Sequence, residues 1–218
     1  MSIEPIQWQA SPKELLLKAG EVHVWLINNY AENCLDHEEQ SRAAKFISPI
    51  HQERFIKAHS GLREILAKYT HQDPKAILFD KTASGKPVLK NFPNIHFNLS
   101  HSEDIALCAI SNTPVGIDVE YLDKNIEYLN ISKRFFSPAE IINNKLDFFK
   151  LWTQKEAYLK SQGKGLSAGL EIEIPEDFTV IHFEPIPHYL AAVGRENNLH
   201  NSGEGRSAWI FIRYFSVV

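Results

Sequence analysis

Two acidic residues stand two positions apart in a β-rich stretch of this 218-residue chain, PVGIDVE, as Asp118 and Glu120. Side chains two apart on a strand leave the same face, and a rise of about 3.3 Å per residue puts their Cα atoms roughly 6 to 7 Å apart. Like charges on one face repel, and a hard divalent cation such as Mg²⁺, which takes oxygen ligands, would offset that repulsion. By itself, such a pair is more typical of a plain solvent-facing strand.

A second charged group lies in the segment LWTQKEAYLKSQGKGLS, residues 151–167. Glu156 and Lys160 are four residues apart and share one face of a predicted helix, and Trp152 lies four residues earlier on that face. Gly163 is the expected end of the helix. Alone, the pair is a helix-stabilising contact worth about 0.2 to 0.5 kcal/mol. It indicates chemistry only together with other motifs.

Several residues could bind phosphate oxygens. Lys86 projects from the predicted turn SGKP, and Ser100 and His101 offer a hydroxyl and an imidazole at the end of the probable strand FNLSHS. Arginine presents a planar fork of donors that suits phosphate. Three arginines fall on predicted helices: Arg42, Arg54 and Arg63. Each of these residues taken singly is also consistent with an ordinary surface position.

Composition limits the class of protein. The chain has 23 basic and 27 acidic residues, a net charge of −4, which argues against binding nucleic acid through its overall field. Cys34 and Cys108 are too few and too isolated for a disulfide framework or a zinc site. The first residues do not resemble a signal peptide, and no stretch approaches the ~20 apolar residues of a membrane span. We therefore expect a soluble, cytoplasmic protein that binds neither nucleic acid nor membranes.

Predicted helices and strands alternate twice along the chain. Helices are expected over residues 11–20, over 36–68 with a break at Ser48-Pro49, and within 126–162, where SPAE is a second helix start. Short strands follow each helical region, including EVHVWLI, IHFNLS, IALCAIS, LEIEI, FTVIHFE and HYLAAV. This repetition, with a weak similarity between IHFNLSHSEDIALCAISN and VIHFEPIPHYLAAVGREN, indicates two related halves without a linker.

Taken in order, the motifs GKP, NLSHS, GIDVE, RFFSPAE and WTQKEAYLKSQGKGLS resemble those of the 4′-phosphopantetheinyl transferase superfamily, specifically its Sfp-type branch. The resemblance spans roughly residues 42–167. It implies a pseudo-dimeric α+β fold of two similar halves, each with helices packed on a mainly antiparallel sheet. The halves would be residues 1–112, which contribute to coenzyme A binding, and residues 113–218, with the metal site and catalytic helix. They would form one intimate two-lobed unit.

The resemblance also implies an activity. The family moves the 4′-phosphopantetheine group of coenzyme A to a serine of an apo acyl or peptidyl carrier protein, releases adenosine 3′,5′-bisphosphate and requires Mg²⁺. A holo-acyl-carrier-protein synthase acting as a monomer is expected. By motif, the metal-binding residues are Asp118, Glu120 and Glu156; the catalytic residues are Glu156, Lys160 and Asp118; and the coenzyme A-binding residues are Arg42, Lys86, Ser100, His101 and Lys160. Glu156 is the candidate base, directly or through water.

Two other functions remain open at this point. A Mg²⁺-dependent nuclease also uses carboxylates beside a lysine, although the net charge argues against it. A non-catalytic module that binds coenzyme A or a carrier would need no acidic residues, although all of them are present. The segment 121–134, near which the family docks its carrier, has no diagnostic sequence. We expect most of its apolar residues to pack rather than to bind the carrier.

Overall fold

The computed structural model describes residues 6–12, 15–29, 32–165, 169–197 and 211–216. Its strands are β1 (Gln9–Ala10), β2 (Glu21–Ile27), β3 (Phe79–Lys81), β4 (Pro87–Leu89), β5 (His96–Ser102), β6 (Ile105–Ser111), β7 (Val115–Tyr121), β8 (Phe178–Phe183), β9 (Tyr189–Glu196) and β10 (Phe211–Ser216). Its helices are α1 (His37–Ala43), α2 (Pro49–Thr70), α3 (Tyr128–Phe135) and α4 (Lys145–Ser161), with a 3₁₀ turn at Pro74–Ala76. The predicted α+β class is confirmed.

The strands form two main sheets and one hairpin. A five-stranded sheet has the order β1-β10-β2-β6-β5, a three-stranded sheet has the order β7-β9-β8, and β3 pairs with β4. Pairing is antiparallel except where β10 lies parallel to β1 and to β2. The last described strand therefore returns to the sheet that the first strands build.

Each sheet is covered by one long helix, and the two sheets share a core. Helix α2 packs on the first sheet through a cluster with Trp25, Leu66 and Ile110, and α4 packs on the second through one with Phe149 and Leu190. A third cluster joins strands of both sheets: Val22, Val24, Leu26, Ile105, Leu107, Ala109, Val115, Ile117, Val119, Phe183, Tyr189, Ala191 and Val193. Burial of this shared surface stabilises both halves together.

Gly116 sets how closely α4 approaches β7. A Cβ at this position would lie 1.8 Å from the carbonyl oxygen of Ala157 and 2.7 Å from the nitrogen of Ser161. Only glycine allows the helix backbone to lie directly on the strand. The acidic residues that follow in β7 are consequently held beside the charged residues of α4.

Several predicted elements differ in the structure. The break at Ser48-Pro49 is confirmed, since α1 ends at Ala43 and α2 begins at Pro49. The helix over residues 11–20 is wrong for its described part: Leu15 and Leu17 pack on the α2 core while Leu16 is exposed, which is the period of an extended chain. The predicted strand LEIEI is also wrong, because residues 170–174 are irregular. Residues 13–14, 166–168 and 198–210 lie outside the described residues.

Among the helices of the described residues, none combines the length and the apolar character that crossing a membrane requires.

Candidate active site

Strand β7, strand β5 and helix α4 bring three of the predicted site residues into contact. The ammonium of Lys160 lies 2.6 Å from Oδ1 of Asp118. The hydroxyl of Ser100 donates to the same oxygen at 2.9 Å and accepts a hydrogen bond from Lys160 at 3.0 Å. A lysine, a serine and a buried aspartate thus form a closed triangle of hydrogen bonds.

Two carboxylate oxygens beside this triangle lack a partner. Within the described residues, Oδ2 of Asp118 and Oε1 of Glu156 are buried and make no hydrogen bond. Buried polar atoms are normally satisfied, so unsatisfied ones point to a ligand or to stored strain. The two oxygens belong to the strand and to the helix that the sequence predicted to meet.

Burial also changes the acidity of these groups. It raises the pKa of the Glu156 carboxyl to about 7, the ammonium of Lys160 opposes this rise, and the carboxylates of Asp118 and Glu120 add to it. Burial likewise raises the pKa of Asp118, and Lys160 again opposes the change. A carboxyl group with a pKa near 7 can exchange a proton at neutral pH.

Glu120 points along the same face of β7 but has its own partners. Its Oε2 accepts hydrogen bonds from the hydroxyl of Ser102 at 3.1 Å and from the ammonium of Lys124 at 2.7 Å. In the part of the chain that the structure describes, no three His, Cys, Asp or Glu side chains are close enough together to hold a metal ion. Asp118, Glu120 and Glu156 are therefore neighbours without forming a complete ligand set.

The two edge strands β5 and β7 meet along a seam made by side chains. Oδ1 of Asn98 accepts the N–H of Ile117 at 2.8 Å. The hydroxyls of Ser100 and Ser102 accept the N–H groups of the residues that follow each acid, Val119 at 3.3 Å and Tyr121 at 3.0 Å. These polar side chains replace backbone pairing between the sheets and satisfy the edge of β7.

Lys86 fastens the turn SGKP to the end of α4. Its ammonium donates to the carbonyl oxygens of Lys160 at 2.7 Å, Ser161 at 3.2 Å and Val115 at 3.3 Å. Burial lowers the pKa of Lys86 to about 8. Gly163, at φ 68°, ends the helix as predicted, and a Cβ there would come within 2.9 Å of Oγ of Ser84. The glycine thus makes room for the turn.

Two other predicted residues line one cavity. The cavity has a volume of about 400 Å³ and is bounded by Arg42, Lys45, Phe46, Phe55, His59 and His101. Sequence reasoning missed Lys45 and His59. The ring of His59 stacks on Phe55 at 4.1 Å, one helical turn earlier in α2, and that spacing was the available signal. A cavity with four basic side chains and two aromatic rings suits an anionic ligand that carries an aromatic group.

The other two candidate arginines have structural partners. Arg54 pairs with Glu103 at 2.7 Å and with Asp104 at 2.8 Å, at the turn between β5 and β6. Arg63 is fully buried and donates to Glu39 at 2.5 Å, to Asp36, and to the carbonyl oxygens of Pro74 and Ile77. Neither lines the cavity beside Arg42.

In the segment 121–134, the expectation of packing agrees with the structure for several residues. Ile126, Tyr128 and Ile131 pack against the core beneath α4, whereas Leu129 is half exposed.

Comparison with known protein families identifies the chain. Residues 26–113 match the N-terminal model of the 4′-phosphopantetheinyl transferases, and residues 114–212 match the model of the 4′-phosphopantetheinyl transferase superfamily. The chain belongs to the 4′-phosphopantetheinyl transferase superfamily. It is 38% identical over 187 residues to the 4′-phosphopantetheinyl transferase HetI of Nostoc sp., covering 77% of this chain and 79% of that one.

Two Bacillus transferases extend the comparison. The chain is 32% identical over 200 residues to the transferase Sfp of Bacillus subtilis, covering 75% of this chain and 88% of that one. It is 38% identical over 143 residues to psf-1 of Bacillus pumilus, covering 61% and 60%. The predicted family, fold and reaction are confirmed: this transferase moves phosphopantetheine from coenzyme A to a carrier protein. Neither the nuclease nor the non-catalytic module is supported.

Proposed function

We propose that this transferase acts as a holo-acyl-carrier-protein synthase type enzyme and that its chemistry takes place where β7 and α4 meet. The proposal rests mainly on two buried carboxylate oxygens, of Asp118 and Glu156, that have no partner among the described residues and lie near the ammonium of Lys160. In this site, coenzyme A would lose its phosphopantetheine group to a serine hydroxyl of the carrier. Adenosine 3′,5′-bisphosphate would be the product that leaves.

The chemistry of these donors fits Mg²⁺. Magnesium prefers oxygen ligands and keeps several of its waters, so it does not need a complete cage of protein side chains. Asp118, Glu120 and Glu156 would hold the ion, the first and last of them through the oxygens without a partner in the part of the chain that the structure describes. When bound, the ion would neutralise charge on the diphosphate of coenzyme A.

The residues of the chain divide the remaining tasks. The cavity with Arg42 and His101 would bind phosphate groups of coenzyme A, aided by Lys45 and His59. Ser100, at the centre of the triangle with Asp118 and Lys160, would complete this binding surface. Lys86 stays a predicted ligand, and its ammonium would have to exchange one of its carbonyl contacts to reach a phosphate.

Proton transfer would involve two residues of α4. Glu156 would accept the proton of the carrier serine, directly or through a water. Burial raises its pKa to about 7 in the metal-free protein, and a bound cation would lower that pKa, which favours the route through a water. Lys160 would donate a hydrogen bond to the phosphate that leaves, which stabilises the charge developing there. The position of both groups on one helix keeps the base and the donor at a fixed spacing.

We also propose a monomer with two halves, residues 1–112 and 113–218, that acts in the cytoplasm. The change from one matched family region to the next at residues 113 and 114 supports this division. The two cysteines, both free and buried, are consistent with a reducing compartment.

The assay that tests the function uses a panel of apo carrier proteins. The transferase is incubated with coenzyme A, Mg²⁺ and each carrier, and intact mass spectrometry measures addition of phosphopantetheine. At least one carrier is expected to gain that mass, and Asp118→Ala run in parallel is expected to give none. If a folded wild-type protein modifies no carrier of a diverse panel, the proposal is wrong.

A further inference from the structure

The seam between β5 and β7 repeats one bonding unit at the two acids. Ser100 accepts the N–H of Val119 and donates its own proton to the carboxylate of Asp118. Ser102, two residues later, accepts the N–H of Tyr121 and donates to the carboxylate of Glu120. In each unit a serine on one strand is bonded both to an acid and to the backbone that follows the acid.

Asn98 begins the same series but differs in one respect. Its side-chain oxygen accepts the N–H of Ile117 at 2.8 Å, just as the serines accept their N–H groups. Ile117 has no carboxylate, so this first contact joins the strands without touching an acid. The seam thus contains a natural control, since one contact is purely structural and the next two are shared with carboxylates.

The hydroxyl of Ser102 has only one proton to donate, and it donates that proton to Oε2 of Glu120. Ser102 is buried, and the N–H of Tyr121 fixes its oxygen from the other side. The direction of the hydroxyl is consequently determined by the backbone of β7. A fixed donor on one carboxylate oxygen restricts the side-chain rotamer and the direction in which the second oxygen points.

We propose that Ser102 is a positioning residue that aims the carboxylate of Glu120 at the divalent cation, a role that rests on the proposed metal site. Ser102 itself does not touch coenzyme A or the ion. It acts through Glu120, in the way that hydrogen-bond partners behind metal ligands commonly set ligand orientation. The sequence motif NLSHS therefore contributes two serines to the site rather than one.

The test measures ion binding without turnover. Mn²⁺ replaces Mg²⁺ as a paramagnetic probe, and electron paramagnetic resonance gives its dissociation constant with coenzyme A present and no carrier. Ser102→Ala is expected to weaken Mn²⁺ binding about tenfold, the lower end for loss of such a partner. The matched control Asn98→Ala, which removes a seam contact without a carboxylate, is expected to change it less than about twofold. Ser102→Thr, which keeps the hydroxyl, should bind as the wild type does.

Several outcomes overturn the proposal. Equal weakening by Asn98→Ala and Ser102→Ala would show that only the seam matters. Wild-type binding by Ser102→Ala would show that Ser102 does not position Glu120, whose Oε2 also accepts a hydrogen bond from Lys124. Circular dichroism checks that each variant folds. If Ser102→Ala does not fold, Ser102→Cys, which is similar to serine in size, is measured in its place. Asp118→Asn separates the two proposals. If it weakens binding while Ser102→Ala does not, the positioning role alone fails. If neither weakens binding, the metal site fails with it.

Discussion

Helix α4 carries two lysines that pair with carboxylates, and the two pairs are built differently. The ammonium of Lys155 is almost fully buried, lies 2.7 Å from Glu140, donates to the carbonyl oxygen of Leu170 at 2.6 Å, and lies over the ring of Phe136. All of these contacts tie the helix to the segments that precede and follow it. This pair is complete and has no capacity for a ligand.

The pair at Lys160 is incomplete. Its ammonium binds Oδ1 of Asp118, but the second oxygen of that aspartate and one oxygen of Glu156 stay buried without partners in the described structure. Unsatisfied buried groups lower the free energy of unfolding. Among the described residues, Asn112, Arg195 and Asn197 also have one such atom each, but only Asp118 and Glu156 have it on a carboxylate. Both regions contain an ion pair, so an ion pair alone does not mark a functional site. The candidate site differs in having buried carboxylate oxygens that lack a partner among the described residues.

The largest effect is expected from a substitution that breaks the pair between Lys160 and Asp118. Asp118→Asn removes the charge that faces the metal and is expected to lower the transfer rate about 10³-fold, or roughly 4 kcal/mol of transition-state stabilisation. Holo carrier is quantified by mass spectrometry at saturating coenzyme A. Because the amide keeps the shape of the side chain, the unfolding midpoint in urea should change little. A variant that kept near-normal rates would place the chemistry elsewhere.

Breaking the pair between Lys155 and Glu140 should mainly lower the free energy of unfolding. Lys155→Met removes the cation that pairs with the carboxylate of Glu140 and the donor to the carbonyl of Leu170, which should lower the free energy of unfolding by about 3 kcal/mol. Urea denaturation followed by tryptophan fluorescence measures this change. Lys150→Met on the same helix, a lysine without an ion pair in the described structure, is the control and should shift it by less than about 0.5 kcal/mol. Equal shifts for both variants would contradict the distinction between the two pairs.

The raised pKa of Glu156 predicts a specific dependence of stability on pH. The folded pKa of about 7 exceeds the ordinary value of 4.5, so between these values the folded state binds more protons than the unfolded state. The free energy of unfolding of the metal-free protein should therefore fall as pH rises from about 4.5 to 7, by about 2 kcal/mol from this residue. Urea denaturation at several pH values gives the slope. Glu156→Gln should flatten it, and an unchanged slope would mean that another group is responsible.

The smallest expected effect concerns Lys86, whose ammonium lies at the C-terminal end of α4. Lys86→Met removes a cation from three carbonyl oxygens and should lower the free energy of unfolding by about 1 kcal/mol. The KM for coenzyme A, measured in parallel, separates this structural role from the predicted binding of phosphate. A raised KM with unchanged stability would show that Lys86 serves the ligand and not the helix.

Local sequence signals predicted some helix starts and failed at others for a tertiary reason. Asp36 and Glu39 form a reciprocal capping box at the start of α1. Ser137 and Glu140 form similar contacts, since Glu140 accepts the N–H of Ser137 at 2.8 Å, yet no helix begins there and α4 starts only at Lys145. Glu140 is also the partner of Lys155, so a contact with another element holds this segment as a turn. Such a contact cannot be read from the spacing of the motif.

Some features of the candidate site could likewise be predicted from the sequence, and others could not. The periods of strand and helix placed Asp118 and Glu120 on one face and Glu156 with Lys160 on another, and the order of the motifs indicated the family. The partners of these residues depend on how β5 lies against β7, which no local pattern encodes. For this reason the contacts of Ser102 and the presence of Lys45 and His59 in the cavity emerged only from the structure.

A crystal structure with coenzyme A and Mg²⁺ tests the central claim most directly. We expect an ion bound to carboxylate oxygens of Asp118, Glu120 and Glu156 and to the diphosphate of coenzyme A, with the adenosine phosphate in the cavity of Arg42 and His101. Coenzyme A bound elsewhere, with these three carboxylates not bound to an ion, would contradict this claim.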